Sequence, residues 1–180
     1  MADIYFHDPR DPETGFLSNF YRVPFRLDGL EWPTVEHYYQ AQKFEDIVYC
    51  ERIRLAATPR EAKNLGQACD VPIRKDWETH RMTAMLQALA AKFTQNADSQ
   101  KMLLANDNED ILVEASPQDH FWGDGANGKG ENRLGYLLTT LRRHLQRFLA
   151  KPSNYPLSSD ELAKLCFESV RRMHVTWRLH

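Results

Sequence analysis

Glu36, Gln40 and Lys43 follow one another at spacings of four and three residues, so on a helix all three project from one face. Two aromatic residues, Tyr38 and Tyr39, border this stripe and indicate that it is at least partly enclosed. A carboxylate in such a place suits acid–base chemistry. The alternative is a solvated helix face with ordinary charge spacing.

A second group of reactive side chains lies in the segment 116–125, whose sequence is SPQDHFWGDG. It combines two acids, a histidine and two aromatic residues within a Pro- and Gly-rich stretch. Loops of this composition line clefts and carry functional groups. The alternative is a rigid loop in which Asp119 and Asp124 only cap turns.

The third group is Arg74-Lys75-Asp76-Trp77, two cations and an aromatic residue at the expected start of a helix. This combination suits a phosphate and a stacked base. A capped helix with Trp77 packed in the core is the alternative.

Several other chemistries lack the pattern that they require. The glycines of 123–128 match G-x-G-x-x-G, but they neither follow a strand directly nor lie in a βαβ unit. The overlapping G-x-x-x-x-G-K-G of 123–130 lacks the Ser or Thr that holds magnesium in a P-loop. The seven histidines form no HExxH or paired-ligand spacing, and no G-x-S-x-G elbow is present. We therefore expect neither a metal nor a cofactor.

Composition limits the class of protein. With 180 residues, 42% hydrophobic and 27% charged, the chain buries one sizeable core. A net charge of −2 argues against a protein held to nucleic acid mainly by phosphate neutralisation. Cys50, Cys69 and Cys166 are odd in number and far apart, as expected of reduced thiols. The sequence has neither a signal-peptide pattern nor a run of about 20 apolar residues, so we expect a cytoplasmic protein without a membrane partner.

The elements that must position these groups begin with β-structure. Residues 4–6 are expected to form a strand, and the runs 23–27 and 30–32 flank Asp28-Gly29, a hairpin signal. Thr34 is expected to cap a helix that reaches about Phe44.

Helices dominate the rest of the chain. The expected elements are a helix from the capping box at Thr58 to Gln67, a long helix from about Asp76 with its apolar stripe ending at Phe93, a short helix at 99–105, a buried strand at 111–115 and an amphipathic helix from about Leu134 to Lys151. Beyond a Pro/Ser/Asn linker, a second capping box at 158–161 begins a helix with Leu162, Leu165, Cys166, Val170 and Met173 on one face. We expect this last helix to dock on the domain or on a second subunit, away from the pocket.

Several blocks together resemble the NADAR family, also called YbiA-like. They are FLSNFY at 16–21, WPTVEHYYQA at 32–41 with Lys43-Phe44, RKDW at 74–77, Lys92-Phe93 with Gln95-Asn96, the loop 116–125 and NRLG at 132–135. The resemblance runs from about Ile4 to Leu149, and the WPTVEH block is its most specific part.

The resemblance implies an α+β fold, a single compact domain, mostly helical with a small β portion. It places the family domain at 1–150 and leaves 151–180 as a linker and helical extension. It also implies a metal-independent hydrolase of ribose C1′–N bonds. The expected substrate is ADP-ribosyl guanine of nucleotides or DNA, or a ribosylamino-pyrimidine phosphate of riboflavin synthesis. A non-catalytic module that binds ADP-ribose or a nucleotide is the alternative.

By motif position, the resemblance implies that Glu36 is the principal acid/base or oxocarbenium stabiliser and that Asp119 orients water or ribose. The helix dipole favours ionised Glu36 unless burial outweighs it, and which carboxylate gives the proton stays open. Trp77 and Trp122 are candidates for stacking on a base, and Lys43 and Arg74 for phosphate. The expected pocket lining adds Ser18, Asn19, Gly123, Asp124, Gly125 and Asn132.

Overall fold

The computed structural model describes residues 2–68, 70–105, 110–150 and 157–177. Within these ranges the chain has four short strands, β1 (Asp3–Phe6), β2 (Phe25–Leu27), β3 (Leu30–Trp32) and β4 (Ile111–Glu114). The helices are α1 (Val35–Ala41), α2 (Ile47–Arg54), α3 (Pro59–Gln67), α4 (Trp77–Gln95), α5 (Ala97–Ala105), α6 (Arg133–Leu149) and α7 (Ser159–Trp177). The prediction of one mostly helical α+β domain is confirmed.

The strands form two separate two-stranded sheets. β1 pairs with β4 in parallel, so that Phe6 lies opposite Glu114. β2 and β3 form the predicted hairpin, and both turn residues, Asp28 (φ 53°) and Gly29 (φ 77°), adopt the left-handed conformation that a type I′ turn requires. The parallel pair therefore joins the beginning of the chain to a segment more than 100 residues later.

Helix α4 is the centre of the fold and contacts α1, α5, α6, α7 and β2. Apart from half-buried Gln87, its residues from Ala84 to Phe93 are all buried, as expected for a helix surrounded on every side. The predicted apolar stripe of this helix is therefore confirmed as core.

Local capping signals determine where two of the helices begin. Thr34 accepts a hydrogen bond from His37 N at the start of α1, and Thr58 accepts one from Glu61 N at the start of α3, as predicted. Helix α1 ends earlier than expected, because the chain turns at Gln42 and Phe44 pairs with Ile73 in an isolated bridge.

The sequence analysis missed α2. Asp46 caps this helix by accepting a hydrogen bond from Tyr49 N, but only Ile53 of its residues is fully buried. Ile47 and Val48 are largely exposed, so the helix has no apolar stripe for periodicity to detect.

Helix α7 packs on the domain against α4 and α6. Leu162, Cys166 and Val170 are buried, and burial raises the pKa of the Cys166 thiol to about 12. The predicted burial of Leu165 is wrong, because this side chain is 42% exposed. Its position on the helix turns it away from α4 and α6. The side chain of Met173 lies outside the described residues.

Two further expectations concern cysteines and membranes. Cys50 and Cys166 are free thiols, whereas Cys69 lies outside the described residues. Over the described ranges, no helix combines the length and the apolar character needed to cross a membrane.

The packing of α7 predicts a difference between two leucines of the same helix. Leu162→Ala empties a fully buried site and is expected to lower the free energy of unfolding by about 2–5 kcal/mol. Leu165→Ala, at a position that is 42% exposed, is the matched control and should cost about 1 kcal/mol or less. Urea denaturation of both variants measures the difference. Equal losses would contradict the docking of α7 through Leu162.

Candidate active site

A cavity of about 960 Å³ opens between α1, α3 and the ends of β1 and β4, near the upper end of the range for small-molecule sites. Its lining combines carboxylates, cations and amides from segments far apart in the chain. These residues are His7, Asp8, Pro9, Arg10, Ser18, Asn19, Phe20, Glu36, Tyr39, Gln40, Lys43, Arg60, Lys63, Gln67, Met85, Glu114, Ser116, Gln118, Asp119, Trp122 and Leu134.

The first turn of α1 holds Glu36 in a buried position. Its backbone N–H donates to the carbonyl of Asn19 over 3.1 Å, and its Oε1 accepts a hydrogen bond of 2.6 Å from Gln40 Nε2. Burial raises the pKa of Glu36, against the opposing effects of the Gln40 hydrogen bond and of the Lys63 and Lys43 charges. Burial is therefore the largest of these effects on the carboxyl group, and it acts against the ionised form that the helix dipole favours.

His37, the neighbour of Glu36, faces the protein core and fixes the start of α1. Its Nε2 lies 3.1 Å from the carbonyl of Ala56 and its Nδ1 lies 2.7 Å from the hydroxyl of Thr34. A carbonyl only accepts, so Nε2 carries the proton and Nδ1 accepts from the threonine. Burial lowers the pKa of His37, and the neutral ring is a structural support for the turn that carries Glu36.

Cations form another part of the lining. Lys43 Nζ donates to the carbonyl of Gly66 over 3.1 Å, and burial lowers its pKa. The ring of Phe20 lies 5.3 Å from the Arg60 guanidinium and 5.8 Å from Lys63 Nζ. In the described part of the chain neither Arg60 nor Lys63 forms an ion pair with a carboxylate. Their charges are available to an anionic ligand.

The loop after β4 brings Asp119 and Trp122 to the cavity. Asp119 Oδ1 accepts from the backbone N–H groups of Phe121 (3.0 Å) and Trp122 (2.7 Å). Trp122 Nε1 donates to the Tyr39 hydroxyl over 3.0 Å, and the two rings meet edge to face at 5.5 Å. The loop is thus attached to α1 and Asp119 is held by the backbone around it.

Glu114 is a further carboxylate in the lining, and the sequence analysis missed it. It is the last residue of β4, with Oε1 3.1 Å from Nδ1 of His7. Burial raises the pKa of Glu114 to about 7. An acidic residue at the end of an otherwise apolar buried strand was the available signal.

Three buried oxygen atoms of the lining have no hydrogen-bond partner within the described chain. They are Asn19 Oδ1, Gln40 Oε1 and Glu114 Oε2. A buried acceptor without a donor costs about 1–3 kcal/mol, so these oxygens favour a ligand or water that supplies donors. Hydroxyl groups of a sugar provide such donors.

The structure brings six of the twelve predicted site residues into the lining: Glu36, Asp119, Ser18, Asn19, Lys43 and Trp122. Two others have different contacts. Arg74 is paired with Asp76 through bonds of 2.6 and 3.0 Å, and buried Trp77 packs against Tyr39 at 5.2 Å.

The four remaining predicted residues shape the loop that carries Asp119. A side chain at Gly123 would lie 2.8 Å from the carbonyl oxygen of Glu114, and one at Gly125 would meet the ring of His120. The backbone N–H of Asp124 also donates to the Glu114 carbonyl. Asn132 is left-handed (φ 46°) and makes two hydrogen bonds to the backbone of β4, accepting from Glu114 N and donating to Leu112 O over 2.9 Å each. None of the four lines the cavity, and their role toward a ligand stays a prediction.

An α+β domain with acids and unpaired cations around one polar cavity is typical of a small-molecule site. The chain belongs to the NADAR family, since the model of the NADAR domain matches residues 5–146. It is 47% identical over 142 residues to N-glycosidase YbiA of Shigella boydii, covering 79% of this chain and 88% of that protein. It is 41% identical to a riboflavin biosynthesis protein of Vibrio vulnificus, covering 79% of this chain and 38% of that protein.

The fold also matches a solved relative. The NMR structure of YbiA from E. coli superposes with a TM-score of 0.77 at 43% sequence identity, covering 86% of this chain and 91% of the other. The family match ends close to the end of α6, and α7 follows it.

The contact between α1 and α3 predicts a specific sensitivity at Gly66. A Cβ atom there would lie 2.0 Å from Gln40 Oε1 and 2.8 Å from Gln40 Cβ, so Gly66→Ala forces the two helices apart. We expect a loss of about 1–3 kcal/mol in the free energy of unfolding, despite the better helix propensity of alanine. Asn64→Ala, at an exposed site of the same helix, should be neutral or stabilising. Chemical denaturation of both variants is the measurement, and equal stabilities would show that α3 does not press on Gln40.

Proposed function

We propose that this protein is an N-glycosidase that hydrolyses the ribose C1′–N bond of a phosphorylated small molecule. The observation that carries the proposal is that one cavity contains Glu36 and Asp119 together with the unpaired cations Arg60 and Lys63. The names of the relatives agree with this chemistry, since one is an N-glycosidase and another takes part in riboflavin biosynthesis.

Cleavage of a C1′–N bond passes through an oxocarbenium-like state, which requires negative charge near the sugar and a positioned water. Glu36 is the principal carboxylate in this role, and Asp119 orients water or a ribose hydroxyl through the oxygen that does not bond to its own loop. The amide side chains of Asn19 and Gln40 line the same cavity and are suited to bond to ribose hydroxyls. Trp122, at the end of the cavity next to Tyr39, is the candidate for contact with the base.

In this proposal the phosphate of the substrate binds to the cations of α3, Arg60 and Lys63, and to Lys43. Arg60 and Lys63 project from successive turns of that helix, and both lie against the Phe20 ring, which limits their freedom before a ligand binds. Arg74, the other cation expected to bind phosphate, is paired with Asp76 and lies outside the lining, and its role toward a phosphate stays a prediction. The two candidate substrates, ADP-ribosyl guanine in nucleotides or DNA and a ribosylamino-pyrimidine phosphate, both contain the required phosphoryl group. Hydrolysis assays with both compounds distinguish them.

Replacing the principal carboxylate tests the enzyme against a non-catalytic binding module. Glu36→Gln should reduce kcat at least about 10²-fold, the scale of a lost acid/base group, while calorimetry still detects substrate binding. Glu45→Gln is the matched control, because Glu45 is exposed and outside the cavity lining. Near-normal turnover in Glu36→Gln would remove this residue from the mechanism.

The same assays should be run in excess EDTA. No group of three or more metal-ligating side chains occurs among the residues that the structure describes, and metal-independent hydrolysis stays a prediction. Loss of wild-type activity that one divalent ion restores would contradict it.

The phosphate site predicts a dependence on substrate charge. Lys63→Gln should raise KM about 10- to 100-fold for a ribosyl phosphate, because a hydrogen bond to a charged group contributes about 1.5–3 kcal/mol. For the dephosphorylated riboside the variant and the wild type should have similar KM. Lys101→Gln, on the exposed side of α5, is the control. An equal rise in KM for both substrates would place the phosphate elsewhere.

A further inference from the structure

Glu114 and His7 form a connected pair between the cavity and solvent. Phe6 and Glu114 are opposite each other in the parallel pairing of β1 and β4, so His7 emerges beside the glutamate. The His7 side chain is 55% exposed and the Glu114 side chain 12%, with 3.1 Å between Nδ1 and Oε1. One end of the pair is therefore in water and the other is buried in the lining.

The backbone holds Glu114 rigidly. Its N–H donates to Asn132 Oδ1 over 2.9 Å, and its carbonyl accepts from the N–H groups of Ser116 and Asp124, also over 2.9 Å. Its Oε2 is buried and has no partner within the described chain. Glu114 thus contributes a fixed carboxyl group to the cavity lining, and one of its two oxygens is covered and unpartnered.

The charges around Glu114 come from three elements. His7 after β1 and Lys63 on α3 favour its ionised form, whereas Asp119 in the loop favours the protonated form together with burial, the largest effect. Asn132, which precedes α6, is uncharged. With a pKa of about 7, the carboxyl group carries its proton in a large fraction of molecules at neutral pH.

We propose that Glu114 is the general acid of the reaction, donating a proton from its carboxyl group to the departing nitrogen, and that His7 connects it to solvent. The proposal rests on the N-glycosidase function proposed above. It assigns the proton donor to a residue outside the WPTVEH block and the 116–125 loop.

The step balances with one water molecule. The C1′–N bond breaks with its electron pair moving to nitrogen, which takes the proton of Glu114. Water attacks C1′ and gives a proton to Glu36, so that a ribosyl hydroxyl and a protonated base leave. The Glu114 carboxylate then regains a proton from solvent through His7, and Glu36 releases its own.

Glu36 is less suited than Glu114 to donate a proton to the departing nitrogen. Burial raises the pKa of Glu36 as well, but its Oε1 already accepts from Gln40 Nε2, and this hydrogen bond and the charges of Lys63 and Lys43 oppose the rise. Glu114 has a single side-chain partner, His7 at Oε1, and its other carboxyl oxygen has no hydrogen-bond partner within the described chain. Two carboxyl groups with different surroundings can take separate acid and base roles.

The experiment is the pH dependence of kcat in the full-length protein. Because protonated Glu114 is the active form, wild-type activity should fall as the pH rises through its pKa. Glu114→Gln should lower kcat about 10²-fold and abolish this alkaline limb. It should lose much less activity on a ribosyl phosphate whose leaving group is nitrophenolate, which departs without a proton. Glu45→Gln is again the control.

The His7→Gln variant distinguishes a catalytic role of Glu114 from a structural one. A purely structural role predicts no shift in the pH dependence of kcat. His7 lowers the pKa of Glu114, so its removal should shift the alkaline limb to higher pH. His7 is half exposed, and the substitution should not prevent folding. Two results would overturn the proposal without refuting N-glycosidase activity. One is an alkaline limb that stays at the same pH in both Glu114→Gln and His7→Gln. The other is an alkaline limb that only Glu36→Gln removes.

A direct titration separates this proposal from the function on which it rests. Carbon NMR of labelled glutamate, assigned with Glu114→Gln, should show the Glu114 carboxyl group titrating near neutrality. Titration near the ordinary value of about 4.3 would overturn its role as an acid even in an active enzyme. A wild type that hydrolyses no ribosyl phosphate despite near-neutral titration would instead refute the proposed N-glycosidase function, and the catalytic role with it.

Discussion

The burial of α1 is the constraint on which the site depends. All seven residues of this helix are buried, yet it contains Glu36, His37 and Gln40. Buried polar groups need partners, so the surroundings of α1 must supply them. Thr34 and a carbonyl from the α2–α3 connection bind His37, while the Glu36 backbone bonds to Asn19. The positions of the neighbouring segments therefore follow from the hydrogen bonds that the buried polar groups of this one helix require.

The carboxylates Glu36, Glu114 and Asp119 reach the cavity on three different supports. Glu36 is carried by a buried helix, Glu114 by the end of a strand and Asp119 by a loop with its own internal hydrogen bonds. Hydrogen bonds hold this loop in place, because Trp122 bonds to Tyr39 of α1 and Asn132 bonds twice to the backbone of β4. Because these supports are rigid, the carboxyl groups do not move apart under their mutual repulsion. Their different surroundings can then give them different proton affinities.

Sequence patterns predicted those parts of the fold that depend on local physics. Apolar periodicity revealed α4 and α6, and capping residues revealed α1 and α3. Periodicity failed for α2 because its first turn is exposed. The motif blocks identified Glu36 and Asp119 as candidates, but Glu114 and Lys63 belong to segments that look like an ordinary strand and an ordinary helix. Their place in the lining results from the pairing of β1 with β4 and the packing of α3 on α1, which no local pattern contains.

The core helix α4 also sets the position of the cavity wall. Lys92, buried in its stripe, donates to the carbonyl of Ser18 over 3.1 Å, and Met85 accepts from Asn19 Nδ2 over 3.5 Å. Burial lowers the pKa of Lys92 to about 7, so its charged and neutral forms have similar free energies at neutral pH. Either form can donate to the carbonyl of Ser18. The segment that holds the Glu36 backbone is therefore anchored to the centre of the fold. Because α7 covers another side of α4, the C-terminal helix supports the helix on which this wall rests without lining the cavity itself.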